Sequence, residues 1–96
     1  MPRLLSDTEV EKRISRLRGW LREGPFITKS YAFADFKEAM RFLNKVAKVA
    51  EEQEHHPDIY VRYSEVKLSV QTHSEGGVTS WDFDLARLID DIPTGT

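Results

Sequence analysis

Three histidines are the residues of this chain best suited to moving protons. Two stand side by side in EEQEHHPDIYVRY, as His55 and His56; the third, His73, follows in VQTHSEGG. An imidazole has an ordinary pKa of roughly 6.5, so both of its forms are populated near neutrality. Two or three imidazoles in one pocket can give a proton to one substrate atom and take one from another. One carboxylate is spaced to serve them. Glu51 precedes His55 by one helical turn, close enough to meet it if the helix persists that far. It belongs to an acidic run, Glu51, Glu52 and Glu54, that faces the negative end of a helix dipole, where carboxylates are unfavourable. Asp82 stands in the first turn of the last helix, a place where capping and the dipole already favour an acid.

Other chemistries find less support. Adjacent histidines chelate poorly, and the i, i+4 spacing of helical zinc sites is absent, so no metal is expected. With no cysteine there is no thiolate nucleophile, disulfide or sulfur-ligated zinc. No nucleophile elbow and no glycine-rich phosphate loop occurs. Acid–base chemistry without a cofactor remains.

The elements that position these groups follow from the periodicity. Ser6 and Glu9 form a capping box, and Val10, Ile14, Leu17 and Leu21 make a helical stripe expected to end at Gly19. Trp20 begins extended chain. Residues 26–33 alternate, with Ile27, Tyr31 and Phe33 on one side and Lys29 as the polar exception. Asp35 caps a long helix whose apolar face holds Phe36, Ala39, Met40, Leu43, Val46, Ala47 and Ala50, widened by Phe42 and Val49. The widening suits a broad core face or a contact between subunits. Pro57 is expected to stop this helix. IYVRY and EVKLSVQT alternate and pair as a hairpin around Ser64. SEGG is a loop. Thr79 or Ser80 caps a last helix with Trp81, Leu85, Leu88, Ile89 and Ile92 on one face, closed by Pro93. His73 has the parity of Lys67, Ser69 and Gln71, away from the apolar face, at a strand end. The order helix, two strands, helix, two strands, helix predicts an α+β fold, a four-stranded antiparallel sheet with three helices on one face.

A chain of 96 residues suits a single domain, here 1–96, and buries only about 60–65% of its unfolded surface. Its core is thin, so subunits are expected to share surface. A net charge of −2 without a basic block argues against binding nucleic acid directly. No signal peptide and no apolar run of spanning length is visible, so the expected setting is cytoplasmic, away from membrane.

The segment AEEQEHHPDIYVRYSEVKLSVQTHSEGGVTSWDFDLA resembles the signature region of the pterin-4a-carbinolamine dehydratases. That pattern runs from an acid through His-His-Pro and an aromatic to a His and an Asp, filled here by Glu51, His55, His56, Pro57, Tyr63, His73 and Asp82. The likeness extends to Trp20 and to Asp35-Phe36, and so over nearly the whole chain. It implies an α+β fold and a dehydration. A 4a-hydroxytetrahydropterin, left by an aromatic amino acid hydroxylase, would lose water to give the quinonoid dihydropterin. Under that resemblance His55 and His73 are the acid–base pair and His56 holds and polarises the substrate. Glu51 and Asp82 orient the histidines, while Pro57, Thr72 and Ser74 shape the pocket. It also implies a homodimer or homotetramer. A protein partner is a further possibility, since some members pair with a homeodomain transcription factor. The alternatives are a protein-binding module on the same fold and a dehydratase for a different pterin.

Overall fold

The computed structural model describes residues 2–94. Helix α1 (Asp7–Ile14) leads to strands β1 (Leu21–Glu23) and β2 (Phe26–Ala32), then to the long helix α2 (Phe36–Gln53). Strands β3 (Asp58–Arg62) and β4 (Glu65–Val70), a short 3-10 turn (His73–Glu75) and α3 (Ser80–Asp90) complete the chain. The sheet is antiparallel throughout, in the order β1-β2-β4-β3. This is the expected α+β architecture.

Register decides which side chains meet the helices. Ile27 pairs with Val70, Tyr31 with Val66 and Ile59 with Leu68. One face of the sheet is therefore apolar, and Ile27, Val66, Leu68 and Val70 join Val10, Leu43, Val46, Leu85 and Ile89 from the helices in one core. The other face carries Thr28, Ser30, Lys67 and Ser69, with Glu23 bridging Thr28 and Lys67.

Several local expectations need correction. Helix α1 ends at Ile14, well before Gly19. Arg16 and Leu17 close tight turns onto Arg13 and Ile14, and Gly19 takes a left-handed φ of 84°. That unwinding lets Trp20 turn inward, where its indole N–H donates to Asp90 at 3.1 Å. Leu21, assigned to the helical stripe, is in β1 and 65% exposed. Helix α2 is stopped by a Schellman turn rather than by Pro57 itself. The His55 N–H reaches Ala50 O, the Glu54 N–H reaches Glu51 O, and Glu54 is left-handed. The widened face of α2 belongs to the core. Phe42 is 3% exposed and packs on Tyr31 and Phe33, with ring centroids at 4.7 and 5.1 Å, so it is not available to a second subunit.

Candidate active site

The Schellman turn aims the chain leaving α2 across the end of β4. The bridge between Thr72 and Gly77 folds the loop after β4 back on itself. These two features bring His55, His56, Pro57, Thr72, His73 and Ser74 to one cleft of about 360 Å³, together with Glu54, Asp58 and Trp81. The three histidines thus share a wall despite their separation in sequence.

Behind His55 stands a fully buried carboxylate. His55 Nε2 lies 2.6 Å from Asp82 Oδ1. Asp82 Oδ2 accepts from the Thr72 hydroxyl at 2.9 Å and from the Thr79 backbone N–H at 2.8 Å. The last bond is half of the capping box that starts α3, with Thr79 as N-cap. Asp82 therefore both caps the helix and holds the histidine. An ionised carboxylate only accepts, so His55 carries its proton on Nε2 and its Nδ1 lone pair remains for other work. The Thr72 hydroxyl has one proton, given to Asp82. The Thr79 hydroxyl must then donate to Thr72 across 2.6 Å, while it accepts from the Trp81 N–H at 3.2 Å. Every bond in this buried chain has one donor.

The other residues are placed differently. His56 Nε2 is 2.5 Å from Glu51 Oε2, so Glu51 serves His56 and not His55. The helix ends before His55 can lie on the same face as Glu51. Both side chains of that pair are largely exposed, and such pairs contribute little to stability. His73 Nδ1 accepts from the Gln71 amide at 3.1 Å, which leaves Nε2 as its donor. Thr72 is 3% exposed and its hydroxyl is committed to Asp82, so it supports the site from behind. Ser74 is at the rim, its hydroxyl 3.4 Å from Glu75. Tyr63, the aromatic of the signature, sits in the β3–β4 turn and is 68% exposed, away from this cleft.

Sequence reasoning missed Asp58 and the special place of Glu54, and read Thr79 only as a cap and Trp81 only as part of an apolar stripe. Trp81 fits the apolar stripe of α3 by spacing, yet it is 46% exposed and meets His55 edge-on at 6.2 Å. The better stripe is Asp82, Leu85, Ala86 and Ile89, and the charge of Asp82 hides it. A larger groove of about 420 Å³ runs between α1 and α3, but Lys12, Arg13, Arg16 and Arg87 dominate it and it holds no histidine. Among the described residues no group of three or more His, Asp or Glu is placed to hold a metal. None of their helices is long and apolar enough to cross a membrane.

The family described as pterin 4 alpha carbinolamine dehydratase matches residues 3–92. A relative from Sulfurisphaera tokodaii is 40% identical over 94% of this chain and 97% of its own. One from Roseiflexus castenholzii is 47% identical over 96% and 99%. Both bear the name "Putative pterin-4-alpha-carbinolamine dehydratase". The crystal structure of a transcriptional coactivator/pterin dehydratase from Brucella melitensis superposes with a TM-score of 0.86 at 35% identity, covering 90% of this chain and 94% of that one. A pterin dehydratase-like protein described as a RuBisCO assembly factor shares the fold, with a TM-score of 0.61 at 21% identity over 74% and 82%. Matched along nearly its whole length by the family and by its relatives, the chain belongs to the pterin-4-alpha-carbinolamine dehydratase family.

Proposed function

We propose that the protein eliminates water from a 4a-hydroxytetrahydropterin by histidine acid–base catalysis, as a step in recycling a pterin cofactor. The observation that supports this most is the convergence of His55, His56 and His73 on one cleft, with buried Asp82 bonded to His55. Two protons must move. The C4a hydroxyl leaves as water only once it has gained one, and N5 must lose its own as the C4a=N5 bond forms. His55, with Nε2 held by Asp82, presents a basic Nδ1 to take the N5 proton, and the carboxylate then faces an imidazolium. His73, with Nδ1 occupied by Gln71, presents Nε2–H to the departing hydroxyl. His56 binds and polarises the ring, oriented by Glu51. Pro57 and Ser74 complete the wall.

The test is the decay of freshly generated 4a-hydroxytetrahydropterin with and without the protein. Replacing His55 or His73 by Ala should slow dehydration by roughly 10²–10⁴-fold, less if the uncatalysed reaction is fast. Replacing His56 should raise KM more than it lowers kcat. A folded His55→Ala/His73→Ala variant that works at the wild-type rate would remove these roles. The protein-binding reading would then be the better one. We propose in addition that the protein works as a homo-oligomer in the cytoplasm.

A further inference from the structure

The groove of about 420 Å³ between α1 and α3 shares no lining residue with the histidine cleft. Glu9, Lys12, Arg13, Arg16, Leu17 and Arg87 line it, so cations dominate it in a chain whose net charge is −2. The end of α1 gathers them. The Arg16 N–H bonds to Arg13 O at 3.1 Å, a tight i, i+3 turn that brings those two side chains to one side. The Arg13 guanidinium lies over the Phe83 ring of α3, 5.9 Å from its centroid, which joins the two helices and limits the freedom of that side chain. Lys12, Arg13 and Arg16 make no ion pair among the described residues. Glu9, the carboxylate of the lining, is bonded twice by Arg3. Arg87 has Asp84 at 3.2 Å, but both side chains are 57% exposed, and such a pair is weak.

The negative ends of α1 and α3 account for cations in their last turns taken singly. Each end carries only about half a charge, too little to balance Lys12, Arg13, Arg16 and Arg87 around one hollow, and Arg16 lies beyond the end of α1. We propose that this groove binds the diphosphate group of a small phosphorylated molecule. Guanidinium forks take phosphate oxygens two at a time. Three forks and an ammonium address more oxygens than the three that a single phosphate ester offers, and two linked phosphates supply them. The volume falls within the range of about 300–1,000 Å³ usual for small-molecule sites. A bounded hollow suits a small polyanion, whereas nucleic acid needs an extended basic face. The site is independent of the dehydration.

The experiment is titration calorimetry of the full chain at low salt with inorganic diphosphate, beside inorganic phosphate and a nucleoside diphosphate. Diphosphate should saturate a single site per chain, at least about tenfold more tightly than phosphate, and bind more weakly as salt rises. Arg16→Gln/Arg87→Gln should weaken it by about tenfold or more, with the melting temperature of the unliganded protein little changed. Arg13→Lys keeps the charge and should still weaken binding, because the fork is lost. Arg41→Gln/Lys45→Gln, which removes two cations from α2, should leave the affinity unchanged. In NMR the amides of Lys12, Arg13, Arg16 and Arg87 should shift as diphosphate is added. A nucleoside diphosphate that binds more tightly than diphosphate identifies a nucleotide as the source, and equal or weaker affinity a free diphosphate; both results support the site. No saturable binding, equal affinity for phosphate and diphosphate, an equal loss in the α2 variant, or shifts confined to the histidine cleft would overturn it. So would a glutamate-rich peptide that binds more tightly than diphosphate, which would mark the groove as a protein contact.

Discussion

A carboxylate with no solvent contact has to fill its lone pairs from within the protein, and Asp82 does so with three donors: His55, Thr72 and the Thr79 N–H. The direction of each bond matters as much as its length. Asp82→Asn would place an amide N–H₂ against either His55 or the Thr72 and Thr79 donors, and the neutral side chain would no longer face an imidazolium. Dehydration should fall by about 10²–10⁴-fold, and the His55 ring should lose its Nε2–H preference in nitrogen NMR. An unchanged tautomer together with an unchanged rate would refute the assigned role. Thr79→Val breaks the chain one bond farther back. It should cost about 1–2 kcal/mol of stability through the lost cap, and Thr79→Ser should restore both stability and rate. Position alone showed Asp82 only as a cap, because a helix N-terminus accounts for an acid so well by itself; its place beside a histidine was implied only by the family resemblance. That it also meets His55 depends on a fold that places residues 55 and 82 together.

The elements were legible wherever one periodicity ruled alone. Helix α2 begins at Asp35, whose carboxylate accepts the Glu38 N–H at 2.9 Å, and its stripe is buried at Ala39, Leu43, Val46 and Ala50 and partly at Met40, while Phe36 and Ala47 are exposed. Boundaries were less legible where a tertiary contact overrode propensity, as where Trp20 reaches Asp90 and shortens α1. The start of α1 is fixed electrostatically. Two hydrogen bonds from Arg3, at 2.9 and 2.8 Å, chiefly hold the Glu9 carboxyl down to about 2 from an ordinary 4.5, helped by the Ser6 backbone. A depressed folded pKa stabilises above the unfolded value and ceases to do so as pH falls through the folded one. The difference in melting temperature between wild type and Glu9→Gln should therefore be full above about pH 4.5 and vanish by about pH 2. A difference that persisted at lower pH would mean that Glu9 acts through packing. The β3–β4 turn offers a separate test. Tyr63 holds φ at 52° while 68% exposed, a conformation that asparagine or glycine tolerates better. Tyr63→Asn should raise stability by about 1 kcal/mol, read as a higher urea midpoint with unchanged slope. A lower midpoint would show that the ring makes a contact worth more than the strain.

At the scale of the whole molecule, the thin core leaves an apolar strip uncovered on β3. Ile59 and Val61 have the parity of the core face, paired with Leu68 and Val66, yet they are 41% and 40% exposed because β3 is an edge strand. An uncovered edge invites another strand. The sequence DIYVR is chemically self-complementary when two copies run antiparallel about Tyr60, since Asp58 then faces Arg62 of the second copy and Ile59 faces Val61. Such an interface is isologous and closes at two subunits. The sequence suggested sharing of surface from chain length and from the apolar face of α2 widened by Phe42 and Val49, which suited core or contact alike; Tyr31 and Phe33 cover Phe42, so the core reading accounts for it. Light scattering at concentrations on the order of tens of micromolar should give a dimer or a multiple of it. Val61→Lys should shift the protein to monomer at the same concentration, by burying a charge opposite Ile59 of the second copy. Its melting temperature should become independent of protein concentration, whereas that of the wild type should rise with it. A wild-type monomer, or a Val61→Lys protein that remains dimeric, would exclude the β3 edge as the contact, because no antiparallel pairing about Tyr60 could accommodate the lysine.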